Sequence, residues 1–166
     1  ALVRLYEATG DDRYWQLARF FIDQRGNAEG HALYGPFHQD HKPFIEQAEA
    51  VGQAPRATYL YSGAADVAYI TGDADYLRAL GRLWQDVVFR KMYITGGIGS
   101  KHSNEGFGEP YDLPNRTAYT EICAAISFPM WASRMFKLHG DAQYIDVLER
   151  TLYNNFAAGV SLSGDR

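Results

Sequence analysis

Apolar positions recur every three or four residues along most of the chain, which is the signature of amphipathic helices. Leu2, Leu5 and Tyr6 share one helical face, and Thr9-Gly10 ends that run. The pattern is already under way at the first residue, as expected of a piece of a longer protein. Asp11 or Asp12 caps a second helix, whose predicted buried face is Tyr14, Leu17, Ala18, Phe21 and Ile22, and Arg25-Gly26 closes it. Residues 27–45 carry no period and read as a loop. Proline is tolerated in a first helical turn and disruptive later, so Pro55 predicts a helix starting near Ala54, directly after Gln53, and ending near Tyr69-Ile70. The next helix buries Tyr76, Leu77, Leu80, Leu83, Trp84, Val87 and Val88, and residues 91–94 read as a short strand. Residues 124–138 form a further helix with Ile126, Met130, Trp131 and Leu138 inward. The last helix carries Tyr144, Ile145, Leu148, Leu152 and Phe156, and residues 159–164 alternate like a strand.

Three junctions in this pattern are alike: Thr9-Gly10-Asp11 with Tyr14, Thr71-Gly72-Asp73 with Tyr76, and His139-Gly140-Asp141 with Tyr144. In each, glycine ends one helix, aspartate caps the next, and tyrosine opens its apolar face. The glycines lie 62 and 68 residues apart. A helix-pair period of that size predicts an all-α fold, about half of an (α/α)6 barrel built of helical hairpins, with residues 1–166 as one partial domain. An independent helical bundle with shared cap chemistry is the alternative. A half-ring would leave apolar helix faces uncovered, so self-association is expected.

Residues 95–123 break the helical pattern. They hold five glycines, two prolines, four carboxylates and the chain's only cysteine. Long unpatterned stretches in compact domains are functional or disordered, and Phe107, Tyr111, Leu113 and Tyr119 argue for order. The stretch therefore reads as an active-site loop on a helical scaffold.

Composition narrows the function without naming it. The chain is 46% hydrophobic and 22% charged, as in ordinary globular proteins. A net charge of −4 and no basic run argue against nucleic acid and anionic membranes as partners. No apolar stretch is long enough to span a bilayer. A single cysteine, with no signal peptide in view, sets a cytoplasmic expectation. Twelve tyrosines, nine phenylalanines and three tryptophans suit a helical core and also a sugar-binding cleft.

Within the loop, Glu105 is flanked by small residues that leave its carboxyl open, and Phe107 can dry its surroundings, as a general acid needs. Glu121 and Cys123 are two apart. On a helix that spacing separates their faces, so a shared metal ion requires residues 121–123 to be extended. A carboxylate and a thiolate suit zinc with two further ligands; a lone cysteine is otherwise a small buried hydrophobe. His38 and His41 in the upstream loop have no zinc spacing, His102 lies in the long loop, and His139 reads as a helix C-cap.

Longer strings carry a family likeness. Tyr93-Ile-Thr-Gly-Gly-Ile-Gly-Ser, Asn104-Glu-Gly-Phe-Gly, Tyr111-Asp-Leu-Pro-Asn115, Ala118-Tyr119 and Glu121-Ile-Cys-Ala-Ala125 closely resemble glycoside hydrolase family 127, the β-L-arabinofuranosidase-like enzymes. So do Gln39-Asp-His-Lys-Pro43, Glu49-Ala-Val-Gly52, Arg56-Ala57 and Tyr59-Leu-Tyr-Ser-Gly-Ala-Ala-Asp66 upstream, and Leu162-Ser-Gly-Asp165 near the end. The resemblance implies an (α/α)6 barrel in longer chains, a carbohydrate substrate, and a retaining hydrolase whose cysteine nucleophile is held on zinc. It implies Glu105 as general acid/base and Glu121 and Cys123 as two zinc ligands. The family's other two ligands, one of them the nucleophile, form a downstream Cys-Cys pair that this sequence does not contain, so residues 1–166 alone are expected to be inactive. Gln53 stands at a substrate-contacting position where the family usually has histidine; Pro55 replaces a usual valine and Ile122 a usual threonine. A two-carboxylate glycosidase pairing Glu105 with Glu109, Asp112 or Glu121, and a non-catalytic sugar-binding or scaffold ring, are the alternatives.

Overall fold

The computed structural model describes residues 1–165, and no β-strand is formed among them. Six helices follow in order: α1 (Leu2–Thr9), α2 (Arg13–Gln24), α3 (Ala54–Thr71), α4 (Ala74–Asp86), α5 (Ile122–His139) and α6 (Ala142–Arg150). They pack as the consecutive hairpins α1–α2, α3–α4 and α5–α6, with α3 also packed along α5. None of the described helices is long and apolar enough to cross a membrane.

The three predicted junctions have one geometry. Gly10, Gly72 and Gly140 adopt left-handed φ values of 70°, 65° and 68°, and each donates its N–H to the carbonyl four residues back. That is the αL stop glycine makes at least strain. Asp11, Asp73 and Asp141 each accept the backbone N–H two residues on, all at 3.0 Å.

The same period sets how neighbouring hairpins pack. Asp66 of α3 pairs with Arg134 of α5 at 2.9 Å, and Thr58 meets Ser127 at 2.6 Å, at offsets of 68 and 69 residues. These offsets match the glycine spacing, so α3 and α5 run parallel with equivalent positions side by side. One turn before the left-handed glycines, Lys137 lies 4.1 Å from the Tyr69 ring centroid and reaches Glu7 at 3.4 Å. Glu7, Tyr69 and Lys137 occupy matching positions in α1, α3 and α5, so all three helices stand in one row, as a ring of hairpins requires.

The core is where these hairpins meet. Trp84 of α4 contacts Trp131 and Tyr144 with ring centroids at 5.1 and 4.7 Å, and Tyr61 packs on Trp131 at 4.9 Å. Buried alanines in α3 (54, 57, 64, 65, 68) and α5 (124, 125, 132) allow the two backbones to approach closely.

Several predicted details differ. Leu17 and Phe21 of α2 are exposed, and so are Ile126 and Met130 of α5; only Ile22 and Trp131 of those faces are fully buried. Residues 91–94 are not a strand: α4 runs into a π-helical turn at Val87–Lys91, and Met92 forms a single bridge to Ile98. Residues 159–164 turn instead of extending. A short alternating run cannot become a strand without a partner edge, and no strand is formed among the described residues. Pro129 sits inside α5 and is buried.

Trp131→Ala removes the ring shared by α3, α4 and α5. It is expected to destabilise the protein by about 3–5 kcal/mol, read as a lowered midpoint in thermal and urea unfolding.

Candidate active site

The candidate residues gather at the N-terminal ends of α3 and α5. Gln53 is the residue before α3 and Glu121 the residue before α5, so parallel packing brings both to the same end of the molecule. The long loop then folds over that end. Ala54 N–H donates to the Glu105 carbonyl at 3.1 Å, and Phe107 N–H donates to the Gly52 carbonyl at 2.9 Å. Gly106 lies between Gln53 and Lys101 as a bridge partner of both. A Cβ there would come within 2.4 Å of the Gly52 carbonyl, so only glycine fits.

Glu105 is held by two side chains. The Gln53 amide donates to Oε2 at 2.6 Å, and the Tyr119 hydroxyl donates to Oε1 at 3.4 Å. His102 packs edge-on to Tyr119 at 5.0 Å, and Phe107, two residues after Glu105, is buried. Gln53 therefore contacts the acid itself, a partnership that its separation of 52 residues from Glu105 hid in the sequence. In the sequence Tyr119 marked loop order and belonged to the family-like string Ala118-Tyr119; only the fold places it at Glu105.

Local strain marks the same places. Glu105 has φ of 52°, and Thr120, directly before Glu121, has φ of 40°. Gly52, directly before Gln53, has φ of 71°. Left-handed backbone costs a non-glycine residue roughly 1–3 kcal/mol, and such strain clusters where function fixes a side chain. Thr120 is pinned by its N–H to the Gly99 carbonyl at 2.9 Å.

The extended 121–123 segment expected for a shared metal ion is not formed, because α5 begins at Ile122. Cys123 lies in the first turn of α5, and Glu121 is the cap residue before it, with φ −52° and ψ 142°. Hydrogen bonding to Glu121, then burial, then the charges of Glu121 and Glu105 push the Cys123 thiol above its ordinary range. Cys123 is exposed and free, while Glu121 Oε2 is buried with no hydrogen-bond partner among the described residues. No group of three metal-binding side chains occurs among the described residues.

Behind the site, Lys91 is 3% exposed. It bonds to Glu49 at 2.9 Å, to the Ala50 carbonyl at 2.8 Å and to Asp86 at 3.2 Å. Asp86 also accepts the Ala50 N–H at 2.8 Å. This buried network anchors the segment that leads into Gly52 and Gln53. The sequence reading placed Lys91 at the start of a short strand and did not single out Asp86.

Comparison with known proteins shows which family the chain resembles along its whole length. The family description "Beta-L-arabinofuranosidase, GH127 catalytic domain" matches residues 1–166. A non-reducing end β-L-arabinofuranosidase of Bifidobacterium longum subsp. longum is 40% identical over 182 residues, covering 99% of this chain and 28% of that protein. A solved GH127 β-arabinofuranosidase is 55% identical with a TM-score of 0.93, covering 98% of this chain and 25% of that one. The solved GH127 β-L-arabinofuranosidase of Geobacillus stearothermophilus T6 is 42% identical with a TM-score of 0.93, covering 99% and 28%. The chain thus spans under a third of the length of each of these relatives.

Gly52→Ala would put a Cβ 2.2 Å from the Pro36 carbonyl at a left-handed position. Strain and overpacking together are expected to cost about 2–6 kcal/mol, measured by chemical unfolding, with activity lost as Gln53 shifts from Glu105.

Proposed function

The chain belongs to the glycoside hydrolase family 127 β-L-arabinofuranosidase catalytic-domain family, and from that premise we propose that the protein is a retaining glycosidase acting on β-linked L-arabinofuranosyl units, with Glu105 as general acid/base. The observation that carries this reading is the Glu105 carboxyl, fixed by Gln53 at 2.6 Å on a strained backbone, beside the Glu121–Cys123 pair.

The chain's own residues supply the proton chemistry. Gln53 donates to Oε2, so the proton of the neutral acid resides on Oε1, the oxygen beside Tyr119. Oε1 protonates the leaving glycosidic oxygen as the bond breaks. The resulting carboxylate then takes a proton from the water that releases the sugar. Gln53 steadies the carboxyl in both steps and lies within reach of the sugar bound there. Buried Phe107 keeps the floor of the site dry.

Glu121 and Cys123 would hold a zinc ion together with ligands from outside the described residues; Glu121 Oε2 is the open buried acceptor such an ion requires. When bound, zinc supplies a lowered thiolate pKa and a fixed aim for a cysteine nucleophile. Cys123 would hold that ion as a thiolate, having released its thiol proton to solvent.

Glu105→Gln in the full-length protein is expected to lower kcat on an aryl β-L-arabinofuranoside by about 10²–10⁴-fold; wild-type turnover by this variant sinks the assignment. Cys123→Ser is expected to reduce bound zinc, measured by elemental mass spectrometry on the purified protein. Full activity with no loss of metal would favour the two-carboxylate mechanism.

A further inference from the structure

Lys91 and Asp86 are deeply buried charges that the proton chemistry above does not use. They lie 3.2 Å apart and grip one residue through both of its backbone polar groups. Lys91 donates to the Ala50 carbonyl at 2.8 Å, and Asp86 accepts the Ala50 N–H at 2.8 Å. Glu49, with a half-exposed side chain, is a further partner of the ammonium at 2.9 Å. Desolvation offsets most of the attraction within a pair this deep, so stability alone does not account for it.

The chain that follows Ala50 is held at every step. The Val51 carbonyl accepts the side-chain amide of Gln39, which is fully buried, at 3.2 Å. The Gly52 carbonyl accepts the Phe107 N–H at 2.9 Å, and the Gln53 carbonyl accepts the Ala57 N–H at 3.0 Å. Each carbonyl from Ala50 to Gln53 thus has its donor. Gly52 itself has no room to shift, since even a Cβ there would come within 2.2 Å of the Pro36 carbonyl.

Glu105 is fixed against this same segment. Its carbonyl accepts the Ala54 N–H at 3.1 Å, the Phe107 N–H two residues on goes to Gly52, and its carboxyl takes the Gln53 amide at 2.6 Å. Its backbone is left-handed, with φ of 52°. A non-glycine residue stays in that region only where its surroundings over-determine it. Here the surroundings are residues 52–54, and the stretch leading into them is clamped at Ala50.

We infer that Lys91 is a positioning residue for the general acid. With Asp86 it sets where residues 52–54 lie, and through them where the Glu105 carboxyl stands. This rests on the glycosidase reading above. The ammonium is spent on Glu49, Ala50 and Asp86, so it acts on the reaction through the backbone.

The proton that Glu105 supplies matters according to the leaving group. An alkoxide must be protonated as its bond to the sugar breaks, whereas 4-nitrophenolate leaves with little help. A displaced acid therefore slows alkyl glycosides far more than nitrophenyl glycosides, while a damaged fold slows both alike.

The test measures kcat/KM, which reports the bond-breaking half of the reaction, on methyl and 4-nitrophenyl β-L-arabinofuranoside with the full-length protein. Lys91→Met alone would strand the Asp86 charge in the core, so it is combined with Asp86→Asn, which keeps an acceptor for the Ala50 N–H. The double variant is expected to unfold at the wild-type urea midpoint. Its kcat/KM is expected to fall about 10–100-fold on the methyl glycoside and less than about twofold on the nitrophenyl glycoside. Equal losses on both substrates, no loss on either, or a double variant that does not fold overturns the positioning role while leaving the glycosidase reading intact. A wild-type protein inactive on both substrates overturns that reading, and the role of Lys91 with it.

Discussion

Parallel packing of α3 against α5 decides where everything else can go. Asp66–Arg134 and Thr58–Ser127 fix the register, and Tyr61 against Trp131 fills the gap between the helices. Because the register equals the hairpin repeat, equivalent ends of the two helices lie together. Gln53 and Glu121 are equivalent residues, each just before an inner helix. A loop joining the intervening elements must pass over both, and it does so with Glu105 at its turning point. A slip of one turn along α5 would move Glu121 by about 5.4 Å and separate it from Glu105.

The site carries strain and buried charge that the helices offset. Glu105 and Thr120 sit at left-handed φ, and Lys91 and Asp86 are nearly inaccessible. A buried ion pair contributes little net stability, because desolvation cancels much of the attraction. Here its effect is positional: Asp86 and Lys91 hold both the N–H and the carbonyl of Ala50, two residues from Gly52. Gly52 in turn bonds Phe107, which fixes Glu105 two residues away. The π-helical turn at Val87–Lys91 turns Lys91 inward from the end of α4.

Much of the scaffold was legible in the chain. The stop glycines and capping aspartates act within a few residues, so local sequence names them, and Pro55 marked the start of α3. The outer apolar faces were less legible. Leu17, Phe21, Ile126 and Met130 have helical spacing but stand exposed, because spacing identifies a face and not what covers it. The Glu121–Cys123 pair was read as needing an extended segment to share a metal ion, whereas α5 starts at Ile122, directly after Glu121. The contacts of Tyr119 and Lys91 and the Gln53–Glu105 bond gave no local signal, for each depends on partners 14 to 52 residues away.

By itself, then, the sequence determined the helical hairpins, their stops and caps, the long loop, and through its extended motifs the kinship that names Glu105, Glu121, Cys123 and Gln53. Those features are set by short-range backbone sterics and by residue identity. The tertiary structure alone decided that α3 and α5 lie parallel in register, that Gln53 grips Glu105, and that a buried lysine steadies the approach. It also decided that the carbonyls of Ala50, Val51 and Gly52 are each held by a distant partner. Contacts between distant segments follow from how helices pack, and packing is fixed by the summed fit of many side chains rather than by any local pattern.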